Sequence, residues 1–254
     1  MSSPALLVIA HGSRDPRHAA TVHALVGRVR SLRPGLRVET AFLDFNGPAV
    51  SQALASLYLS GVREVVALPL LLTRAFHAKA DIPAVLAESA VRLPDLSVRV
   101  ADVLGPHPLL ISSLERRLAE AGVGLTPAER ATTGVVLASA GSSDPEAIAV
   151  IAEIAREWRL TGWCAVRPAF ASAALPRTED AVRALRAEGV HRVAVAPYVI
   201  APGFLPDRIT TGADAAGADA VAQVLGAAPE LARLLLHRYD AASGTRASHT
   251  ALTA

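Results

Sequence analysis

His11, Asp44 and His77 are the residues of this chain whose types and placement best suit chemistry. Two imidazoles and a carboxylate fit a divalent Fe, Co, Ni or Zn ion, and the mix does not choose among them. Imidazole is also a base near neutral pH. Gly12-Ser13 follows His11 and leads into a helix N-terminus, where free amides favour an anion. Arg14, Arg17, Arg74 and Lys79 lie in the two histidine-bearing segments. Such cations suit a ligand that carries several carboxylates next to a bound ion.

The elements that must position these residues can be read from an internal repeat. Residues 6–16, LLVIAHGSRDP, match 135–145, VVLASAGSSDP, and RVETAF at 37–42 matches AVRPAF at 165–170. GVREVVALPLLL at 61–72 parallels GVHRVAVAPYVI at 189–200, and ADVLG at 101–105 parallels AQVLG at 222–226. Four blocks in the same order identify a tandem duplication. In each half, strand and helix alternate. Leu6 to Ala10 is a continuous apolar run, as in a parallel strand covered on both faces. Asp15 can cap a helix with Pro16 at its first position, and Val22, Leu25, Val26, Val29 and Leu32 share one helical face. Further strands are expected over 37–43, within 62–72 and over 97–103. Helices are expected on the stripe Val50, Leu54, Leu57, Tyr58, from near Pro83, and over 108–121. This alternation predicts an α/β protein with a parallel sheet flanked by helices in each half. The expected divisions are an N-terminal lobe at 1–121 carrying the metal site, a linker at 122–133, a degenerate C-terminal lobe at 134–240 and a flexible tail at 241–254.

The duplication supplies an internal control. His11 pairs with Ala140, Asp44 with Ser172, His77 with Leu205 and His107 with Ala228. His11, Asp44 and His77 all follow strands of one sheet, at the carboxyl edge where open α/β sheets bind ligands. Their absence from the second half marks them as function and the shared residues as scaffold. His107, in the sequence GPHP, reads as a helix-start residue, and His18 and His23 as surface positions.

Composition bounds the partners. Of 254 residues 52% are hydrophobic and 19% charged, which excludes a disordered chain. The formal net charge is +2 and no run of basic residues exceeds two, unlike a nucleic-acid binder. One cysteine, Cys164, allows neither an intramolecular disulfide nor a cysteine-rich metal cage. The apolar run at 5–10 is too short for a leader or a membrane span, so a cytoplasmic protein is expected.

AHGSRDP at 10–16, AFLDF at 41–45 and FHAKADIP at 76–83 resemble the sirohydrochlorin chelatases, which include cobalt- and iron-inserting members. The degenerate second repeat resembles their long, two-repeat form. This resemblance implies two similar α/β lobes facing each other across a cleft. It also implies insertion of a divalent metal, without ATP, into sirohydrochlorin, an octacarboxylate tetrapyrrole. His11 and His77 match the family's two metal-binding, catalytic histidines. Where this chain has Asp44 the family commonly has Glu, so Asp44 is carried over only as a candidate third ligand. The implied substrates are sirohydrochlorin and Fe2+ or Co2+, with no organic cofactor; the lack of a His-rich tail, and not the resemblance, favours Fe2+. A chain holding both lobes needs no second copy to complete the cleft, so a monomer is expected. The competing reading is a metal or tetrapyrrole carrier without turnover.

Overall fold

A computed structural model describes residues 3–74 and 81–244. The first half runs β1 (Ala5–Ala10), α1 (Pro16–Leu32), β2 (Val38–Phe42), α2 (Val50–Leu59), β3 (Glu64–Pro69), α3 (Ile82–Arg92), β4 (Ser97–Val100) and α4 (Pro108–Glu120). A short helix, α5 (Pro127–Arg130), leads into the second half. There follow β5 (Thr133–Ser139), α6 (Pro145–Arg159), β6 (Ala165–Phe170), α7 (Thr178–Ala187), β7 (Arg192–Tyr198), α8 (Phe204–Ala215), β8 (Ala220–Val221) and α9 (Pro229–Ser243).

The strands form two parallel four-stranded sheets with the orders β2-β1-β3-β4 and β6-β5-β7-β8. The same order in both is what a duplicated unit requires. β1 is buried at every position. Its side chains alternate between two cores: Leu6 and Val8 join the central core, while Leu7 and Ile9 join a core under α2 and α3. β5 repeats this, with Val135 and Leu137 on the central side and Val136 and Ala138 on the other. The central core thus runs through both halves without a break.

Its continuity comes from an exchange of helices. α4, from the first half, packs on β7 of the second sheet, and α9, from the second half, packs on α1, α4 and β3. Polar contacts hold both in place. Arg117 donates to the Leu225 carbonyl at 3.0 Å, Arg33 pairs with Asp240, and the Tyr239 hydroxyl donates to the Pro4 carbonyl at 2.6 Å. The stretch expected as a linker contains α5, whose capping box joins Thr126 to Glu129. The tail expected from 241 is helical through Ser243, because Tyr239 and Asp240 anchor α9 to the first half. Leu32, expected on the buried face of α1, is 48% exposed at the last turn of its helix.

Candidate functional site

The site begins where β1 ends. His11 leaves the strand, and Gly12 follows at φ +95°, in the left-handed region that glycine enters freely. A Cβ on Gly12 would overlap the Asp44 carbonyl oxygen, so only glycine lets the loops after β1 and β2 touch. The Asp44 amide donates to the His11 carbonyl at 2.9 Å, and the Ser13 amide donates to Asn46 Oδ1 at 2.8 Å. Asp15 caps α1 by accepting from the Arg17 amide at 2.9 Å, with Pro16 at the first helical position.

The second half builds the same turn. Gly141 has φ +91°, a Cβ there would overlap the Ser172 carbonyl oxygen, and the Ser172 amide donates to the Ala140 carbonyl at 3.0 Å. Asp144 caps α6 as Asp15 caps α1. Identical backbones therefore present His11 and Asp44 in one half and Ala140 and Ser172 in the other.

His11 is half-buried and lines a cavity of about 460 Å3 at the carboxyl ends of both sheets. Leu70 and Leu72 contribute from the first half, and Tyr198, Ile200 and Leu205 from the second. Leu205 and Ala140, the repeat partners of His77 and His11, are both in this wall. The second half thus contributes a mostly apolar face, the usual make-up of a small-molecule pocket. His11 Nδ1 lies 3.2 Å from the Gly12 carbonyl oxygen. A carbonyl only accepts, so this contact favours the tautomer with the proton on Nδ1.

His18 is a member of this site that the sequence reading assigned to the surface. It is half-buried in α1, lines the cavity with His11, and its Nδ1 is buried without a hydrogen-bond partner among the described residues. Burial, and then the neighbouring His11 charge, hold its pKa below the ordinary imidazole value, so it is neutral at pH 7. The signal was present, since position 18 is four residues before Val22 and extends the buried stripe of α1 backwards. The repeat pairs it with Ala147, which lines the same cavity. His107 takes its expected place as the N-cap of α4, its Nδ1 accepting from the Leu109 amide. A ring nitrogen in that role is unprotonated, and burial lowers the His107 pKa further.

The remaining candidates are distributed unevenly. Asp44 is exposed, and its Oδ1 accepts from the Phe45 amide at 2.8 Å. His77 and Lys79 lie outside the described residues. Among the described residues no three His, Cys, Asp or Glu side chains converge as a metal site would require. Arg17 is engaged at 2.6 Å by both Asp15 and Asp207, and these bonds raise its pKa. Arg74 pairs with Asp102. Arg14 instead lies over the Phe45 ring, its guanidinium carbon 5.3 Å from the centroid. Of the four cations proposed to bind carboxylates, two already hold carboxylate partners within the protein.

Comparison with known proteins places this geometry among relatives. The CbiX family model matches residues 5–121 and again 134–242. A sirohydrochlorin cobaltochelatase of Priestia megaterium is 31% identical over 207 residues, covering 80% of this chain and 66% of that protein. The chain thus spans about two thirds of that relative's length. A sirohydrochlorin ferrochelatase of the same organism is 27% identical over 239 residues, covering 92% of this chain and 88% of its own. The solved structure of SirB from Bacillus subtilis with Fe3+ superposes with a TM-score of 0.83 over 96% of this chain and 97% of that one. At 24% identity that likeness concerns the fold. Among the described residues no helix is long and apolar enough to cross a membrane.

Proposed function

The chain belongs to the CbiX family, and from that premise we propose that it is a sirohydrochlorin chelatase, inserting Fe2+ or Co2+ into the macrocycle without nucleotide hydrolysis. The observation that carries this reading is His11, set by a duplicated turn at the mouth of a cavity walled by both halves, while the matching turn carries Ala140. A duplicated scaffold with imidazole at only one of its two matching turns suits one metal beside one flat ligand.

In this reading His11 and His77 hold the entering ion, with Asp44 as the candidate third ligand. Two pyrrole N–H protons must leave as the ion enters the ring. A neutral imidazole has one lone pair in the ring plane, so His11 cannot hold the ion and take a proton at the same moment. One proton at a time would pass to another base, and neutral His18 in the same cavity fits that role if it hands the first proton to solvent before the second leaves. The Gly12 amide, Arg14 and Lys79 would receive peripheral carboxylates, whereas the Ser13 amide, expected to join them, is taken by Asn46 Oδ1. Arg17 and Arg74 would do so by exchanging Asp207 and Asp102 for substrate. The apolar wall of the second half covers one face of the ring. Both halves of the cavity come from one chain, which supports a monomer as the working unit.

Between the two ions we favour Fe2+, since the chain's eight histidines form no run of the kind that stores cobalt or nickel. Initial rates with Fe2+ and with Co2+, measured anaerobically on the macrocycle's absorbance, test both levels of this reading. A faster rate with Fe2+ is expected. A faster rate with Co2+ overturns the preference, and no spectral change with either ion overturns the chelatase reading.

A further inference from the structure

Phe45 is the least economical residue of the site. It is 50% exposed, so packing does not explain an aromatic ring there. Its φ is +60°, in the left-handed region where a residue carrying a Cβ is strained and Gly or Asn sits most easily. The turn itself demands this conformation: the Asn46 amide donates to the Asp44 carbonyl at 2.7 Å, and the Ala174 amide donates to the Ser172 carbonyl at 2.6 Å in the second half. There the matching residue is Ala173, also at φ +60°. The scaffold therefore needs the backbone shape and not the ring.

The surroundings of the ring indicate its use. Phe45 stacks on His11, with centroids 6.4 Å apart and planes 28° from parallel, and Arg14 lies over it. Imidazole, phenyl and guanidinium thus form a row in which His11 lines the cavity. Such a row suits a planar conjugated ring that carries carboxylates at its edge: the exposed half of the phenyl takes the ring in an offset or edge contact, the guanidinium a carboxylate, and the imidazole lies beside the centre.

We propose that Phe45 is a substrate-contact residue, a stacking platform that holds the conjugated macrocycle beside His11 with one peripheral carboxylate on Arg14. The proposal rests on the chelatase reading above. It makes the first half's lip, as well as its histidines, a determinant of which flat polyanion is accepted.

Metal-free sirohydrochlorin titrated into the wild type, Phe45→Ala, Phe45→Trp and Phe45→Gly, followed by visible absorbance, tests it. Ala173 shows that the turn accepts alanine, so the Ala variant is expected to fold. About tenfold weaker binding is expected for Phe45→Ala and near wild-type binding for Phe45→Trp, the scale of one lost stacking contact. The absorption of added Co2+ alone should be unchanged by Phe45→Ala. The melting temperature of Phe45→Gly should equal or exceed that of the wild type, because strain is relieved. Equal macrocycle affinity in wild type and Phe45→Ala overturns the proposal. An altered Co2+ spectrum with equal macrocycle affinity also overturns it, making Phe45 a positioning residue for His11. A wild type that binds no macrocycle overturns the chelatase reading and this proposal with it, an outcome distinct from the other two.

Discussion

His11→Ala is expected to slow metal insertion by about a hundredfold or more at limiting metal, the loss typical of removing one positioned catalytic side chain. Its melting temperature should stay close to that of the wild type. The duplicated turn supplies the reason: Ala140 occupies the matching position with the same backbone hydrogen bond to the next loop. Saturating metal should restore part of the rate, since the proposed second ligand, His77, is left in place. A variant that kept wild-type rates at limiting metal would remove His11 from the mechanism. One that lost rate and melting temperature together would make it a structural residue.

Gly12→Ala should damage fold and activity together. Its φ of +95° disfavours any side chain, and a Cβ would overlap the Asp44 carbonyl, so the loops after β1 and β2 must separate. A stability loss of at least about 2 kcal/mol is expected from strain and clash combined. The displaced loops carry His11 and Asp44, and a misplacement of about 1 Å is enough to cost a hundredfold in rate. Gly141→Ala is the control within the same molecule. It has the same overlap, with the Ser172 carbonyl, and should lose similar stability with a smaller loss of rate. Chemical denaturation and steady-state metallation on both variants separate the two effects. Equal rate losses would mean that activity follows stability, and an undamaged Gly12→Ala would mean that the turn relaxes freely.

The parallel sheets could be read from the sequence because a strand covered on both faces is apolar throughout, and Leu6–Ala10 and Val135–Ala138 are such runs. The turn after β1 could be read because its capping residues recur in the repeat. The exchange of α4 and α9 could not. An apolar stripe such as Leu110, Leu114 and Leu118 says that one face is buried, not which sheet covers it. Arg17 was read as a free cation because its partner Asp207 is 190 residues away in the chain. His18 was read as surface because it is polar, although its position continues the buried stripe of α1. Phe45 has no signal of its own in the sequence, and only its exposure, its φ and its contact with His11 set it apart.

The central claim is turnover at a site with His11 at its centre. Sirohydrochlorin in large excess over protein, with excess Fe2+ or Co2+ under anaerobic conditions, tests it in one absorbance trace. The account predicts many equivalents of metallated product per protein molecule, at a rate well above the protein-free reaction. Product that stops at one equivalent per chain would contradict it and identify the protein as a carrier.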